Sequence, residues 1–549
     1  MRPKHSRHFC SAFKTTTMKK IYLGLFVIFA IGTYAQTPFS VEIEPLAISG
    51  APGLHSFAFG KTTSGKWLFV GGRIDGLHRR QPWAAFLASE NNTNIFVVDP
   101  NTSQVWSAPL STLQTSIAEQ LQSTNQEFYQ RGNALYVIGG YGYSATQSDH
   151  VTFDKLTAID VDGLANAVIN NLNINSFFRQ ISNTNFAVTG GQLGYLDSTF
   201  YLCGGQYFEG RYNPMGPQHG PGFIQNYTDE IRRFKLEDDG NALNLKEYSS
   251  NNDAANLHKR DYNMVPQVFP NGKQGFTMFS GVFDSNDLPW LNSVDVIDSI
   301  YSLNTSFSQY LSHYHSAKLP IYDSVNNAMH TIFFGGMSQY TLDTLGNLIQ
   351  DDDVPFVKTI SKVSRLSNGT MQETKLGVEM PSLLGAGAEF IPVSNSSIYN
   401  EQEILKLDKV NSRMLVGYIY GGIESTQPNI FFSNTGTQST VNSTIFKVFV
   451  EMGTVGIEEK VLNPSNILNL SIFPNPATNV LNAEFFIPNM ENCILIIYDI
   501  SGKEISRFEL EKEIGKQKQQ LDISELQTGS YVLELKSGVY SSTLKFQKN

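Results

Sequence analysis

Six short apolar segments that each end in a glycine pair, or in Ser-Gly, recur along the chain. They occupy residues 67–72, 135–140, 200–205, 276–281, 331–336 and 417–422. Successive copies lie 55 to 86 residues apart. A repeat of this kind predicts a fold built from copies of one supersecondary unit, because each unit is too small to bury its own apolar faces.

A second apolar strand follows several of these segments. Its copies are residues 95–100, 156–160, 231–234 and 294–298, and the first of them is followed by a turn and Trp106. Glycine pairs let the backbone turn sharply and let neighbouring units approach closely. Each unit is therefore predicted to be a small antiparallel sheet, and radial stacking of such sheets would bury both faces of each one.

The order of strand, glycine pair, loop, second strand, turn and aromatic residue resembles the Kelch repeat over roughly residues 40–452. The resemblance implies an all-β fold, a six-bladed Kelch-like β-propeller over residues 37–452, of the kind found in galactose oxidase and sialate mutarotase. A seventh, degenerate blade in the longest interval is the alternative. Residues 40–46 alternate in polarity and are predicted to supply the strand that the last unit, ending at residues 444–450, lacks.

A different pattern begins at Ile467. It contains Pro474-Asn475-Pro476, a strand at residues 494–500 followed by Ser501-Gly502-Lys503, the spacing Leu526-x-x-Gly529-x-Tyr531, and a basic-aromatic end at Lys545-Phe546. Together these features resemble the type A C-terminal sorting domain of the Bacteroidetes type IX secretion system. The resemblance implies a small Ig-like β-sandwich over residues 467–549 after a linker at 453–466, passage through the outer membrane, and removal of the domain there. An adhesive β-sandwich is the alternative.

The N-terminal region predicts export. Residues 18–35 combine a positive start at Lys19 and Lys20, an apolar run at 21–32 and a small residue, Ala35, which is the pattern of a signal peptide. Residues 1–17 are interpreted as an upstream extension. The apolar run is short for a membrane span, and a membrane anchor is the alternative. We expect a secreted or outer-membrane surface protein with no transmembrane segment after signal cleavage.

Charge and cysteine content narrow the class of protein further. The formal net charge of −10 argues against a nucleic-acid partner, which needs a basic surface. The three cysteines, Cys10, Cys203 and Cys493, fall in different predicted segments, so no disulfide within a domain is expected.

Ligand-binding residues are expected in the loops around the glycine pairs, because propellers place function at a mouth lined by loops. The candidates are His55, Arg73, His78, Arg79, Arg131, Tyr141, Tyr207, His258, Arg260, Asp261, Tyr262, His313 and His315. Aromatic faces and planar donors suit sugars or acidic groups. A binding protein or an enzyme with its site at the mouth predicts that Arg73, Arg79, Arg260, Tyr262 and His313 converge in one pocket, whereas a structural or adhesion component predicts that they scatter.

Catalysis stays an open question at this level. The sequence has no phosphate loop, nucleophile elbow or paired zinc cysteines. A copper-radical oxidase like galactose oxidase would need a cysteine crosslinked to tyrosine, but Cys203 lies in the middle of a strand, and His313 and His315 have no identifiable third ligand. No metal or cofactor is therefore predicted. A mutarotase needs only an acid–base pair, for which Arg260 with Asp261, or His258, would serve.

The function predicted from these observations is a secreted or cell-surface binding protein. Its mouth would hold a carbohydrate or a surface protein, and its C-terminal domain would engage the type IX secretion machinery. The first alternative is a Kelch-fold carbohydrate-active enzyme, a mutarotase before an oxidase. The second is a structural or adhesion component that binds through the sides of the propeller.

Overall fold

The computed structural model describes residues 39–343, 347–453, 460–462, 468, 470–487, 492–510, 515–537 and 540–549. The predicted signal peptide and the upstream extension lie outside these residues. The described part is all-β, with many small antiparallel sheets. None of its helices is long and apolar enough to cross a membrane.

Six antiparallel sheets of four or more strands follow one another within the described residues 39–453. Strand β1 is Phe39–Leu46. Sheet 1 contains β2 (Ala58–Lys61), β3 (Trp67–Val70), β4 (Asn94–Asp99) and β5 (Gln104–Pro109), followed by helix α1 (Thr115–Leu121). Sheet 2 contains β6 (Glu127–Arg131), β7 (Ala134–Ile138), β10 (Lys155–Asp160) and β11 (Phe178–Ser182), with the hairpin β8 (Tyr141–Ser144) and β9 (Asp149–Thr152) and helix α2 (Val161–Ile169) inserted.

Sheets 3 and 4 repeat this order. Sheet 3 contains β12 (Gln192–Leu196), β13 (Thr199–Cys203), β16 (Glu230–Asp238) and β17 (Leu243–Asn252), with the inserted hairpin β14 (Gln206–Glu209) and β15 (Ile224–Tyr227). Sheet 4 contains β18 (Asn263–Val268), β19 (Gln274–Phe279), β20 (Ser293–Ile297) and β21 (Ile300–Asn304).

Sheets 5 and 6 carry additional edge strands. Sheet 5 contains β22 (Ala317–Asp323), β23 (Ala328–Met337), β26 (Phe356–Arg365) and β27 (Met371–Glu379), with the hairpin β24 (Tyr340–Leu342) and β25 (Leu348–Gln350). Sheet 6 contains β28 (Leu383–Pro392), β30 (Met414–Ser425) and β32 (Ile445–Met452), and β31 (Ser439–Val441) pairs with β30. Two short strands, β29 (Leu405–Lys406) and β33 (Lys460–Val461), extend the two edges of sheet 5.

Each of the six predicted glycine-pair segments lies on the second strand of its sheet, and each predicted second apolar strand is the third strand. The glycine pairs also contact the next sheet. The amide of Gly140 donates to the carbonyl of Val188 at the start of sheet 3 (2.9 Å). A Cβ on Gly139, whose φ is +60°, would lie 2.0 Å from the same carbonyl. Any larger residue would therefore separate the two sheets.

The last sheet contacts the first sheet in the same way. The amide of Gly422 on β30 donates to the carbonyl of Leu54, which precedes β2 (2.9 Å). Six apolar clusters fill the spaces between sheets 1 and 2, 2 and 3, 3 and 4, 4 and 5, 5 and 6, and 6 and 1. Cys203 is fully buried in one of them, where burial raises its thiol pKa to about 12, so it packs as a small apolar side chain.

Strand β1 is the outer strand of sheet 6. It pairs with β32 along its whole length, from Phe39 opposite Met452 to Leu46 opposite Ile445. This pairing confirms the prediction that residues 40–46 complete the last unit. The first and last strands of the repeat region are thus held together in one sheet.

The C-terminal residues form two further antiparallel sheets. One has the order β34 (Ser471–Phe473), β35 (Val480–Ile487), β38 (Gly515–Asp522). The other has the order β37 (Glu504–Leu510), β36 (Cys493–Asp499), β39 (Gly529–Ser537), β40 (Tyr540–Lys548). Their shared apolar core also includes Tyr310 from the loop between sheets 4 and 5, and Tyr340 and Leu348 from the hairpin β24–β25.

We expect that Phe39→Ala lowers the free energy of unfolding by about 3 kcal/mol. Phe39 is 4% exposed and packs edge-on against His330 of sheet 5, with ring centroids 5.4 Å apart. Urea unfolding of the full chain measures the change. Val325→Ala is the control, because Val325 is 83% exposed and its loss should change stability by less than about 0.5 kcal/mol. Equal midpoints for the two variants would show that β1 does not contribute to the core.

Candidate functional site

A cleft of about 710 Å³ is lined by residues from all six sheets. In every sheet, one lining residue follows its glycine pair by one or two positions. These residues are Arg73, Tyr141, Gln206, Phe283, Met337 and Ile423. Because each glycine pair ends a second strand at the same edge of its sheet, the six loops converge at one place.

Arg73 is the most constrained of the cleft residues. It is 2% exposed. Its Nε and Nη2 donate to the two carboxylate oxygens of Asp75 (2.8 Å each), and Nη1 donates to Oδ1 of Asn91 (2.8 Å). Nearly all of its donors are therefore used within the protein, and its charge is neutralised by Asp75.

Asp75 stays ionised in this setting. Burial opposes its ionisation, but the hydrogen bonds and charges of His55 and Arg73 outweigh burial and hold the pKa of Asp75 well below its usual range. His55 Nε2 lies 3.7 Å from the carboxylate. The three side chains form one polar unit, of which His55 and Arg73 line the cleft.

A second polar unit lies between sheets 3 and 4. Arg260 donates from Nε to the hydroxyl of Tyr227 (3.0 Å) and from Nη1 to Asp261. Burial disfavours its charge, but Asp261 and Tyr227 outweigh burial and raise the pKa of Arg260 above its ordinary value. Asp261 also accepts from Nδ2 of Asn125 (2.8 Å). This arginine, like Arg73, has its own carboxylate inside the cleft.

His258 lies beside this unit. Its ring stacks on Tyr227 with centroids 3.7 Å apart and an interplanar angle of 14°. Its Nδ1 is 2.8 Å from Oδ1 of Asp229. The imidazole is about one-third exposed, so it is held on one side and open on the other.

His315 lines the cleft and belongs to a further polar cluster. Its Nε2 is 2.9 Å from Oε1 of Glu389, and Nζ of Lys318 is 3.8 Å from the other carboxylate oxygen. Burial raises the pKa of Glu389, but Lys318 and His315 outweigh it and hold the pKa below its ordinary value. Lys318 and Glu389 also line a smaller cavity of about 170 Å³, together with residues from the first strand of every sheet.

Aromatic side chains form the opposite wall. His78 stacks on Phe86 at 4.7 Å and meets Tyr212 edge-on at 4.9 Å and Phe431 at 5.9 Å. These rings come from loops of sheets 1, 3 and 6. Burial lowers the pKa of His78 to about 4, so its ring is neutral at physiological pH and packs as an aromatic group.

Eight of the thirteen predicted site residues line this cleft. They are His55, Arg73, His78, Tyr141, His258, Arg260, Asp261 and His315. The other five lie elsewhere, so of the five residues expected to converge only Arg73 and Arg260 do so.

The remaining five have other environments. Arg79 lies against the loop at Gly436. Arg131 covers the rings of Tyr136, Tyr195 and Phe200 between sheets 2 and 3. Tyr207 donates to Glu209 (2.5 Å) and lines a separate groove.

Tyr262 and His313 are buried in the interior of the protein. The Tyr262 hydroxyl donates to the carbonyl of Cys203 (2.8 Å). Both ring nitrogens of His313 are occupied, Nδ1 by the amide of Gln339 and Nε2 by the carbonyl of Gln309 (2.9 Å each). A position in a loop next to a glycine pair therefore does not by itself indicate whether a side chain faces the cleft or a neighbouring sheet.

Tyr227, Phe283 and Phe431 line the cleft, and Asp229 contacts His258, although the sequence did not single them out. Tyr227 and Phe431 are in insertions far from their glycine pairs, and only the hairpin β14–β15 and the loop after β30 bring them to the cleft. The described residues contain no group of three His, Cys, Asp or Glu side chains placed to hold a metal ion.

Residues 471–549 match the family described as a secretion system C-terminal sorting domain. The protein is thus exported to the cell surface or the extracellular space, and this domain engages the type IX secretion machinery.

Similar solved structures are remote. The structure of YjhT matches with 10% identity over 75% of this chain and 100% of that chain, with a TM-score of 0.41. An exo-β-1,3-galactanase from Phanerochaete chrysosporium matches with 7% identity over 77% and 94%, with a TM-score of 0.26. A glycoside hydrolase family 43 arabinoxylan arabinofuranohydrolase from Bacillus subtilis matches with 9% identity over 90% and 95%, with a TM-score of 0.27. A comparison with curated proteins finds no match.

We expect that Asp75→Asn lowers the free energy of unfolding at pH 7 by about 2 kcal/mol, because it leaves Arg73 buried without its counter-charge. The folded pKa of Asp75 lies below the unfolded value of about 3.9, so its contribution is complete above that pH and is lost as the pH falls below it. Urea unfolding at pH 7 and at pH 3 should therefore show a smaller difference between variant and wild type in acid.

Asp197→Asn is the matched control, since Asp197 is exposed and its backbone has a positive φ that asparagine also adopts. Its effect should be small at both pH values. A difference for Asp75→Asn that does not change with pH would contradict the ionised pair.

Proposed function

We propose that the six sheets are the blades of a six-bladed Kelch-like propeller over residues 37–452, and that residues 467–549 form an Ig-like β-sandwich after a linker at 453–466. The contact of each sheet with the next, and of the sixth with the first, supports the closed arrangement. The two C-terminal sheets around one apolar core support the sandwich. In this arrangement residues 18–35 are the signal peptide.

We propose further that the cleft binds an uncharged carbohydrate on the outside of the cell. The observation that carries this proposal is the pairing of charges within the cleft. Arg73 and Arg260, two of the three arginines that line the cleft, are bonded to the carboxylates of Asp75 and Asp261, and the third, Arg80, lies over the rings of Phe431 and Phe432. An acidic ligand would compete with carboxylates that are already in place, whereas sugar hydroxyls need only donors and acceptors with fixed directions.

The aromatic walls support a sugar over a charged peptide. Apolar faces of sugar rings stack on aromatic side chains, and Tyr227, Tyr314 and Phe431 line the cleft. Phe432 extends this wall and is 64% exposed, with the guanidinium of Arg80 4.6 Å from the centre of its ring.

A glycan array with neutral, amino and acidic sugars tests the proposed ligand. We expect the full chain to bind neutral saccharides and to reject acidic ones. Arg260→Ala should weaken binding at least tenfold, because it removes the donor and leaves Asp261 in the wall without its counter-charge. Arg413→Ala is the control, because Arg413 pairs with Glu42 and Glu44 on β1, outside the cleft.

Loss of binding in both variants would show that the effect is not local to the cleft. Absence of any saccharide binding by the wild type would overturn the carbohydrate proposal and favour a protein partner.

Removing residues 471–549 should retain the protein in the periplasm of a type IX-secreting host. The full chain should reach the surface or the medium, and fractionation with immunodetection compares the two. Protease resistance of the retained product distinguishes a secretion defect from misfolding. A truncated chain found outside the cell would contradict the role of this segment in sorting.

A further inference from the structure

The cleft is larger than a single sugar requires. Its volume is about 710 Å³, and residues from all six sheets line it. Clefts of about 300 to 1,000 Å³ typically bury ligands the size of a drug molecule, and a monosaccharide is considerably smaller than that. A ligand that fills the cleft therefore has more than one sugar unit.

Two arginines of the cleft contact different loops and mark its two ends. At the inner end, Arg260 donates to the hydroxyl of Tyr227 on β15 (3.0 Å). At the outer end, Arg80 lies over Phe432 of the loop after β30, with its guanidinium 4.6 Å from the centre of the ring. Burial raises the pKa of Tyr212, and the charges of Arg260 and Arg80 both oppose that rise. Tyr212 is thus close enough to both ends for their charges to act on it.

Aromatic rings connect the two ends. Tyr212 meets His78 edge-on with centroids 4.9 Å apart. The ring of Phe431 lies 5.9 Å from His78 and 5.2 Å from Phe432. All four residues line the cleft. A row of rings offers stacking surface to successive units of a saccharide chain, whereas one sugar uses only part of it.

Arg80 has unused hydrogen-bond donors at the outer end. Unlike Arg73 and Arg260, it makes no hydrogen bond and no ion pair with the residues that the structure describes. Its contacts are the rings of Phe431 and Phe432. A guanidinium that stacks on rings keeps the N–H groups along its edge for a ligand. Phe432 is 64% exposed, so its ring is also open to a ligand.

Carboxylates at the rim offset the charge of Arg80. Asp352 and Asp353 line the cleft and are exposed. They lie near the loop after β30, because Asn429 in that loop donates to Asp351 (2.8 Å). An acidic sugar at the outer end would face these carboxylates, so the outer end favours an uncharged unit.

We infer that the cleft binds two or more linked sugar units at once, and that its ligand is an uncharged oligosaccharide rather than a free monosaccharide. The inner unit contacts Arg260 and Tyr227. The outer unit stacks on Phe432, and its hydroxyl groups accept from Arg80. The inference rests on the proposed carbohydrate function and names the class of saccharide.

Titration of the full chain with neutral saccharides of increasing length tests this inference. The probes are ladders of one to six units of β-1,4-linked glucose, β-1,3-linked glucose, β-1,4-linked mannose and β-1,4-linked xylose. In at least one ladder we expect three units to bind about tenfold more tightly than one unit, or better. Saturation-transfer NMR should show contacts to two or more units of the bound trisaccharide.

Variants at the outer end should lower this ratio of affinities. Phe432→Ala should reduce it by about fivefold to tenfold, because the outer stacking ring is lost. Arg80→Gln should reduce it in the same direction, because the guanidinium donors are lost. Phe473→Ala is the matched control and should keep the wild-type ratio. Phe473 is 39% exposed and has Nζ of Lys518 4.7 Å from the centre of its ring, but it lies outside the cleft.

Urea unfolding checks that each variant is folded like the wild type. Equal affinity for one unit and three units would overturn the inference and leave carbohydrate binding intact. A wild-type ratio in both outer-end variants would overturn the assignment of Phe432 and Arg80. Absence of binding to every neutral saccharide would overturn the carbohydrate function together with this inference.

Discussion

Close contact between the backbones of adjacent sheets is the constraint on which the rest of the structure depends. Near the end of the second strand of each sheet, a glycine pair, or Ser280-Gly281 in sheet 4, meets the segment that leads into the next sheet. At Gly421 a Cβ would lie 2.1 Å from the carbonyl of Leu54, and at Gly335 it would lie 2.0 Å from that of Leu384. No side chain fits such a gap, and a positive φ at both positions also favours glycine.

The close contact between sheets affects both the apolar core and the loops that line the cleft. Towards the interior, it brings sheets close enough for apolar side chains to fill each space between them. Towards the solvent, it directs the following loop of every sheet to one place, which becomes the cleft. The core and the candidate site are therefore products of the same geometry, and the pairing of β1 with β32 completes it.

The polar groups of the cleft are arranged around paired charges rather than free ones. Arg73 is bonded to Asp75 and Arg260 to Asp261. His315 lies 2.9 Å from the carboxylate of Glu389, which Lys318 also approaches. Each of these buried groups loses water and gains a charged or polar partner in its place. Pairing also offsets the positive charges of Arg73 and Arg260, and leaves directed donors and acceptors beside aromatic rings.

The sequence by itself determined the repeat, the β-class of the fold, the strand that completes the last sheet and the export of the protein. These features depend on local patterns such as the glycine pairs, the alternation at residues 40–46 and the motifs around Pro474-Asn475-Pro476, and such patterns can be recognised without knowing distant contacts. For the same reason the sequence indicated the loops of the candidate site, and eight of the thirteen predicted residues line it.

Only the tertiary structure decided which side chains of those loops face the ligand. Tyr262 and His258 are four residues apart, yet one donates to a carbonyl of the preceding sheet and the other is open to the cleft. Tyr227 reaches the site through an inserted hairpin. Whether Arg260 is a free charge depends on Asp261 and on Asn125 from another sheet. Orientation and charge pairing are set by neighbours that are distant in sequence, so no local pattern contains them.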